Sequence, residues 1–265
     1  MRLPRLFLAI LPFCQAVQAA TRLALGDNEA LTYHVSWVVL PGVGTISIAA
    51  HAAADPASGA PCLKVSTTTA TVGLAHLLLP FQAHSDSLFD ATSGRLISVD
   101  ESSVTRMKVN VHRVTFDYAD GIAWYLPQNP PGARRRLAMP PGYPTDLITC
   151  LLSARTWDLK PGQTHDALVL FNDDFYQLTI HAIDYEDLDT PLGSFRTLVL
   201  EPRMDKTPPK GMFRRGSRAR VWISQDARRL PVRFQVEFRF GSGIATLERY
   251  SPPTPPRPYR GTSLP

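Results

Sequence analysis

Apolar and polar residues alternate with a period of two through most of this chain, and no other feature constrains its fold as strongly. In residues 31–40, Tyr33, Val35, Trp37 and Val39 fall on one face, while Thr32, His34 and Ser36 fall on the other. Only an extended strand sends successive side chains to opposite faces, so each such run makes one greasy surface and one wet one. Pro41-Gly42-Val43-Gly44 then reads as a turn, and residues 45–50 return with Ile46 and Ile48 on a single face, predicting a β-hairpin. Further strands are expected at 63–70, 81–89, 96–101, 107–116 and 121–126, and again at 164–171, 175–185, 193–201, 218–224, 231–240 and 243–250.

Turn signals recur about every ten residues, a spacing typical of meandering all-β folds. Most of the 24 prolines and 16 glycines stand between the alternating runs. One helix is expected near 145–156. Thr145-Asp146 offers a cap, and Leu147, Ile148, Leu151 and Leu152 share one side of the helix. The apolar stretch 72–79 reads as a short helix or a buried loop. The fold expected is mainly β, a strongly curved antiparallel sheet or open β-barrel closed at one side by that helix, with a two-sheet sandwich as the alternative.

The ends read differently. Arg2 and Arg5 precede an apolar stretch over 6–13, and Val17-Gln18-Ala19 places small residues where a signal peptidase cuts. Residues 1–19 are therefore expected to be a cleaved signal peptide, with the protein delivered to the periplasm. Cys14 raises lipidation as a rival, but Phe13 is too large for the position before an acylated cysteine. Residues 20–250 make one antiparallel β domain. The proline-rich 251–265 read as a disordered tail, because proline lacks the N–H that a sheet ladder needs. No later run is long and apolar enough for a transmembrane helix. With the leader gone, Cys62 and Cys150 are left, either bridged in an oxidising compartment or buried as thiols.

The net charge of +5 is mild. It gathers at Arg134-Arg135-Arg136 and at Arg214-Arg215 with Arg218 and Arg220, beside Pro or Gly, as solvated loops or as a lure for anionic lipid headgroups. Export removes the chain from nucleic acid. The seven histidines have no metal-ligand spacing, and P-loop, Gly-x-Ser-x-Gly and Cys-x-x-Cys motifs are missing, so neither a catalytic residue nor a cofactor is assigned. The acidic run 184–189 reads as a solvated turn. Five aromatics, Trp37, Phe81, Trp124, Phe175 and Trp222, are candidates to line an apolar ligand cavity, or else to fill the core.

Four segments carry a family resemblance. Tyr33-His34-Val35-Ser36-Trp37 with Gly44 looks like an opening hairpin, and Asp146-Leu147-Ile148 through Ala154-Arg155 and Leu159-Lys160-Pro161-Gly162 like a helix leading into a strand. Leu192-Gly193-Ser194-Phe195 with Leu200-Glu201-Pro202, and then 221–232 around Gln225-Asp226-Ala227-Arg228-Arg229, complete the set. Together they resemble the exported bacterial family known as domain of unknown function 3108. That resemblance implies a periplasmic β-rich fold and no established activity. The expected function is a non-catalytic binding module for a lipid or other apolar envelope ligand, against the alternative of a structural or interaction protein acting through loops or a sheet edge.

Overall fold

The computed structural model describes residues 23–255 except 39, 215, 239 and 240. The expected signal peptide and all but the first residues of the tail lie outside it.

Among the described residues fifteen strands form a single sheet. The first half meanders through β1 (Ala30–Trp37), β2 (Leu40–Ala54), β3 (Pro61–Thr71), β4 (Phe81–Asp90), β5 (Leu96–Thr105), β6 (Val109–Asp117), β7 (Ile122–Asn129) and β8 (Arg135–Ala138). The second half runs β9 (Thr145–Asp146), β10 (Thr164–Phe171), β11 (Asp174–Thr190), β12 (Gly193–Arg203), β13 (Arg218–Ser224), β14 (Pro231–Phe238) and β15 (Gly241–Ser251). β15 pairs with β1 and joins the halves, leaving β8 and β9 as the two edges. Neighbours are antiparallel except β9 and β10, which run parallel.

A flat sheet of this width would hold its edges about 65 Å apart at the usual strand spacing. Instead, Leu137 of β8 and Leu170 of β10 pack into the same apolar cluster as Tyr33 and Leu247 from the middle of the strand order. Arg135 of β8 also bonds Asp173, in the turn between β10 and β11, at 2.7 Å. The sheet is therefore curled round on itself, while the edges share no ladder. It is an open barrel, as expected.

Its interior is filled with side chains. Tyr33, wholly buried, donates to the Pro231 carbonyl at 2.9 Å and packs on Phe234. The strands β10 to β13 bury both faces: Val199 and Trp222 point into the main cluster, and their neighbours Leu198, Leu200, Val221 and Ile223 into a second. That second cluster lies under α2 (Leu147–Ser153), whose Leu147, Cys150 and Leu151 join it while Leu152 faces the main core. Asp146 caps α2, its carboxylate accepting from the Thr149 N–H at 2.8 Å, and a 3₁₀ turn, Ala154–Thr156, continues it.

Several boundaries differ from expectation. The first hairpin turns at Val38, whose φ of 52° is left-handed, and Pro41 and Gly42 already belong to β2. Between the pairs Val35↔Gly44 and Trp37↔Leu40, β2 carries two extra residues, and Gly42 with φ 69° absorbs that bulge. The acidic run 184–189 is not a turn; it lies in β11, paired with β12, with Leu188 buried. Segment 72–79 holds a helix, α1 (Gly73–Leu78), but none of its residues is buried. The tail begins attached rather than free, since the Thr254 N–H donates to the Asp27 carbonyl at 2.8 Å and the Asn28 amide to its hydroxyl at 3.0 Å. Cys62 and Cys150 are not bridged. Both are free and buried, Cys62 at the start of β3 and Cys150 in the cluster beneath α2.

Candidate functional site

Hairpin turns alternate between the two ends of the barrel, so its ends differ in composition. At one end the turn between β13 and β14, the 3₁₀ turn after α2 and the segment before β1 meet in a polar junction. Arg155, 11% exposed, donates to Glu29, 2% exposed, at 2.7 Å, to the Ala24 carbonyl at 3.0 Å and to the Arg228 carbonyl at 3.2 Å. Tyr250 and the Gly26 N–H also donate to Glu29. Arg229 donates to the carbonyls of Arg155 at 2.9 Å and Trp157 at 2.8 Å. Burial alone would raise the Asp226 pKa, but hydrogen bonds from Ser224 and Arg228 hold it below the ordinary value. The junction thus explains why Ala154-Arg155 and the 225–229 turn stood out in the sequence: they are two halves of one contact.

Beside the junction a cleft of about 540 Å³ opens between the loop 141–144, the start of α2 and the outer parts of β10 and β11. Phe89, Trp157, Leu168 and Leu178 give it apolar walls, and Thr145, Thr149 and Gln177 supply polar atoms. The volume falls within the range of small-molecule sites, about 300–1,000 Å³. Trp157 stacks on His165 with ring centres 4.1 Å apart, and burial lowers the pKa of that histidine, favouring the neutral ring. Asp166 pairs with Lys206 at the rim, which holds its carboxyl below the usual range. At the base of α2, burial raises the pKa of Asp146, reinforced by the negative field of Glu101, and the nearby Thr145 hydroxyl is buried with no protein partner among the described residues. Apolar walls beside a polar floor suit a molecule with a tail and a small polar head.

The chemistry available elsewhere is limited. Burial pushes the Cys150 thiol up to about 12, far from a reactive thiolate. His112 pairs with Glu101 at 2.9 Å and stacks on Tyr125 within the curl. Among the described residues no cluster of His, Cys, Asp and Glu is arranged to hold a metal ion. Among the described residues no helix is long and apolar enough to cross a membrane.

The five aromatics singled out by the sequence do not converge. Phe175 and Trp222 are core residues, the Trp222 indole donating to Glu186 at 2.8 Å. Trp124 faces outward, beneath the Arg134 guanidinium at 4.0 Å. Trp37 is half-buried against β15, where Gly241 and Gly243 leave room for its ring. Phe81 is at the outer end of β4, beside α1. None of the five borders the cleft. Trp157 does; the sequence shows it closing the helix segment but carries no sign of the wall that it makes.

This architecture has counterparts among solved structures to different degrees. The fold is similar to that of a β-barrel-like protein of the domain of unknown function DUF1849 from Brucella abortus, with a TM-score of 0.54 and 8% identity over 87% of this chain and 99% of that one. A protein with YmcC-like fold from Bacteroides fragilis matches more loosely, with a TM-score of 0.34 and 10% identity over 88% of this chain and 100% of that one. No curated protein matches the chain in sequence. A family model, described as protein of unknown function DUF3108, matches residues 32–248, which takes in the opening hairpin, α2 and the Asp226 turn. The chain belongs to the DUF3108 family.

Proposed function

We propose that this chain is an exported, periplasmic protein of a Gram-negative envelope that binds a lipid or similar apolar-tailed molecule without reacting on it. The cleft beside α2 carries the reading. It is open to solvent, walled by Phe89, Trp157, Leu168 and Leu178, and floored by hydroxyls. Covering ten methylenes would contribute roughly 8 kcal/mol before the costs of association, a scale compatible with micromolar binding. The leader-like residues 1–19 support export. The alternative is a structural or interaction protein working through loops or a sheet edge, and its sheet edges offer it little. β8 has four residues, two of them arginine, and β9 has only two residues, the short or charged form in which edges resist strand addition.

A fluorescent fatty-acid probe titrated into the mature protein tests the reading. Saturable binding is expected, and Gln177→Trp, which fills the cleft from a partly buried position on β11, should abolish it without lowering the melting temperature. A folded wild type that shows no saturation, or a Gln177→Trp variant that binds as well, would sink the proposal.

A further inference from the structure

The opposite end of the barrel has a different character. The turns from β1 to β2, from β5 to β6 and from β7 to β8 lie there, together with α1 between β3 and β4. Leu74, Leu77, Leu78 and Leu79 are each more than two-thirds exposed, and Met107 is 94% exposed at the tip between β5 and β6. The Arg106 guanidinium donates to the Leu77 carbonyl at 2.8 Å, so the two apolar tips form one surface, extended by Phe81, Val104 and Val109. A continuous exposed apolar surface on an otherwise well-packed protein calls for an occupant.

Charge indicates which. There is no Asp or Glu in 30–54, 56–85 or 102–116, the stretches that build this end of the first half, whereas Arg106 and Lys108 flank Met107. An isologous pairing of two copies would set these cations against themselves. Leucines and a methionine on tips that carry two cations and come from stretches without carboxylates match a surface with anionic headgroups over hydrocarbon.

We propose that the α1 end docks the protein onto an anionic phospholipid bilayer, with Leu74, Leu77, Leu78 and Met107 entering the headgroup layer and Arg106 and Lys108 meeting phosphates. The inference goes beyond the cleft reading: this surface lies at the end of the barrel opposite the cleft, and it stands independently of what the cleft holds.

Flotation of the full mature protein with phosphatidylglycerol–phosphatidylethanolamine vesicles, against phosphatidylcholine vesicles, is the test. The wild type should float with the anionic vesicles and lose that association as salt rises. Leu77→Asp and Met107→Asp should each weaken it by about tenfold or more, the scale of one withdrawn large apolar side chain. The pair Arg106→Glu and Lys108→Glu should abolish it. All four sites are exposed, so melting temperatures should hold and show that the variants are folded. Equal flotation with neutral vesicles, Asp variants that float like the wild type, or concentration-dependent dimers that Leu77→Asp dissolves would overturn the proposal. Gln177→Trp should still float. A protein that saturates with the fatty-acid probe yet never floats refutes docking alone, and one that floats without taking up the probe refutes the cleft.

Discussion

Replacing Arg155 by methionine should destabilise the fold strongly. Its guanidinium is the cation facing Glu29, whose side chain is 2% exposed, and it also satisfies the carbonyls of Ala24 and Arg228. Methionine keeps the length of the stem and removes the charge, leaving a buried carboxylate with only Tyr250 and the Gly26 N–H as donors. Breaking such a pair by removing one partner costs about 3–5 kcal/mol. At about 2–4 °C per kcal/mol for a domain of this size, the melting temperature should fall by roughly 6–20 °C. Urea unfolding of wild type, R155M, E29Q and the double variant measures it, and the double variant should be less damaged than the two single losses added together, because the uncompensated charge is gone. An R155M protein that melts within about 2 °C of the wild type, less than 1 kcal/mol, would refute the reasoning.

Asp146 gives a pH prediction. Its folded pKa is raised from 3.8 by burial, so its contribution to stability is fully present below about pH 4 and is lost as pH rises through the raised value. D146N should keep the cap on Thr149 and remove that slope; wild type gaining stability relative to D146N as pH rises would contradict it. Tyr33→Phe should cost about 1–2 kcal/mol by leaving the Pro231 carbonyl without its donor, and Tyr33→Ala about 3–5 kcal/mol by opening a cavity, both read from urea unfolding. Since Cys62 and Cys150 are free and buried, a reductant should leave the melting temperature unchanged, and both thiols should react with a thiol reagent only after unfolding.

The strands were legible because alternation is a local property; the expected limits of β10 and β13 match the observed ones. The capped helix was legible for the same reason, through Asp146 and the spacing of its leucines. Where a chemically obvious turn competed with a less obvious one, the reading failed: Pro41-Gly42 looks like a turn, yet Val38 takes the left-handed conformation and Gly42 serves a bulge. The run 184–189 looked like a turn from its carboxylates, but it lies on a long strand, with Leu188 buried and Glu186, on the same face, accepting from the Trp222 indole. Alternation assigns a side chain to a face and says nothing of what the curl brings opposite that face, so Phe175 and Trp222 could not be told from cavity lining. Nor can it tell a buried leucine run from an exposed one, which left the character of α1 hidden. The meeting of Arg155, Arg229 and Glu29 joins residues far apart in sequence, and only the family-like motifs hinted that they mattered.

Mass spectrometry of organic extracts from mature protein, purified from the envelope without detergent, tests the account most directly. An acyl-chain lipid carried in stoichiometric amount by the wild type and missing from Gln177→Trp is the expected result. Wild-type protein that is folded and lipid-free, and whose melting temperature no added lipid shifts, would contradict it.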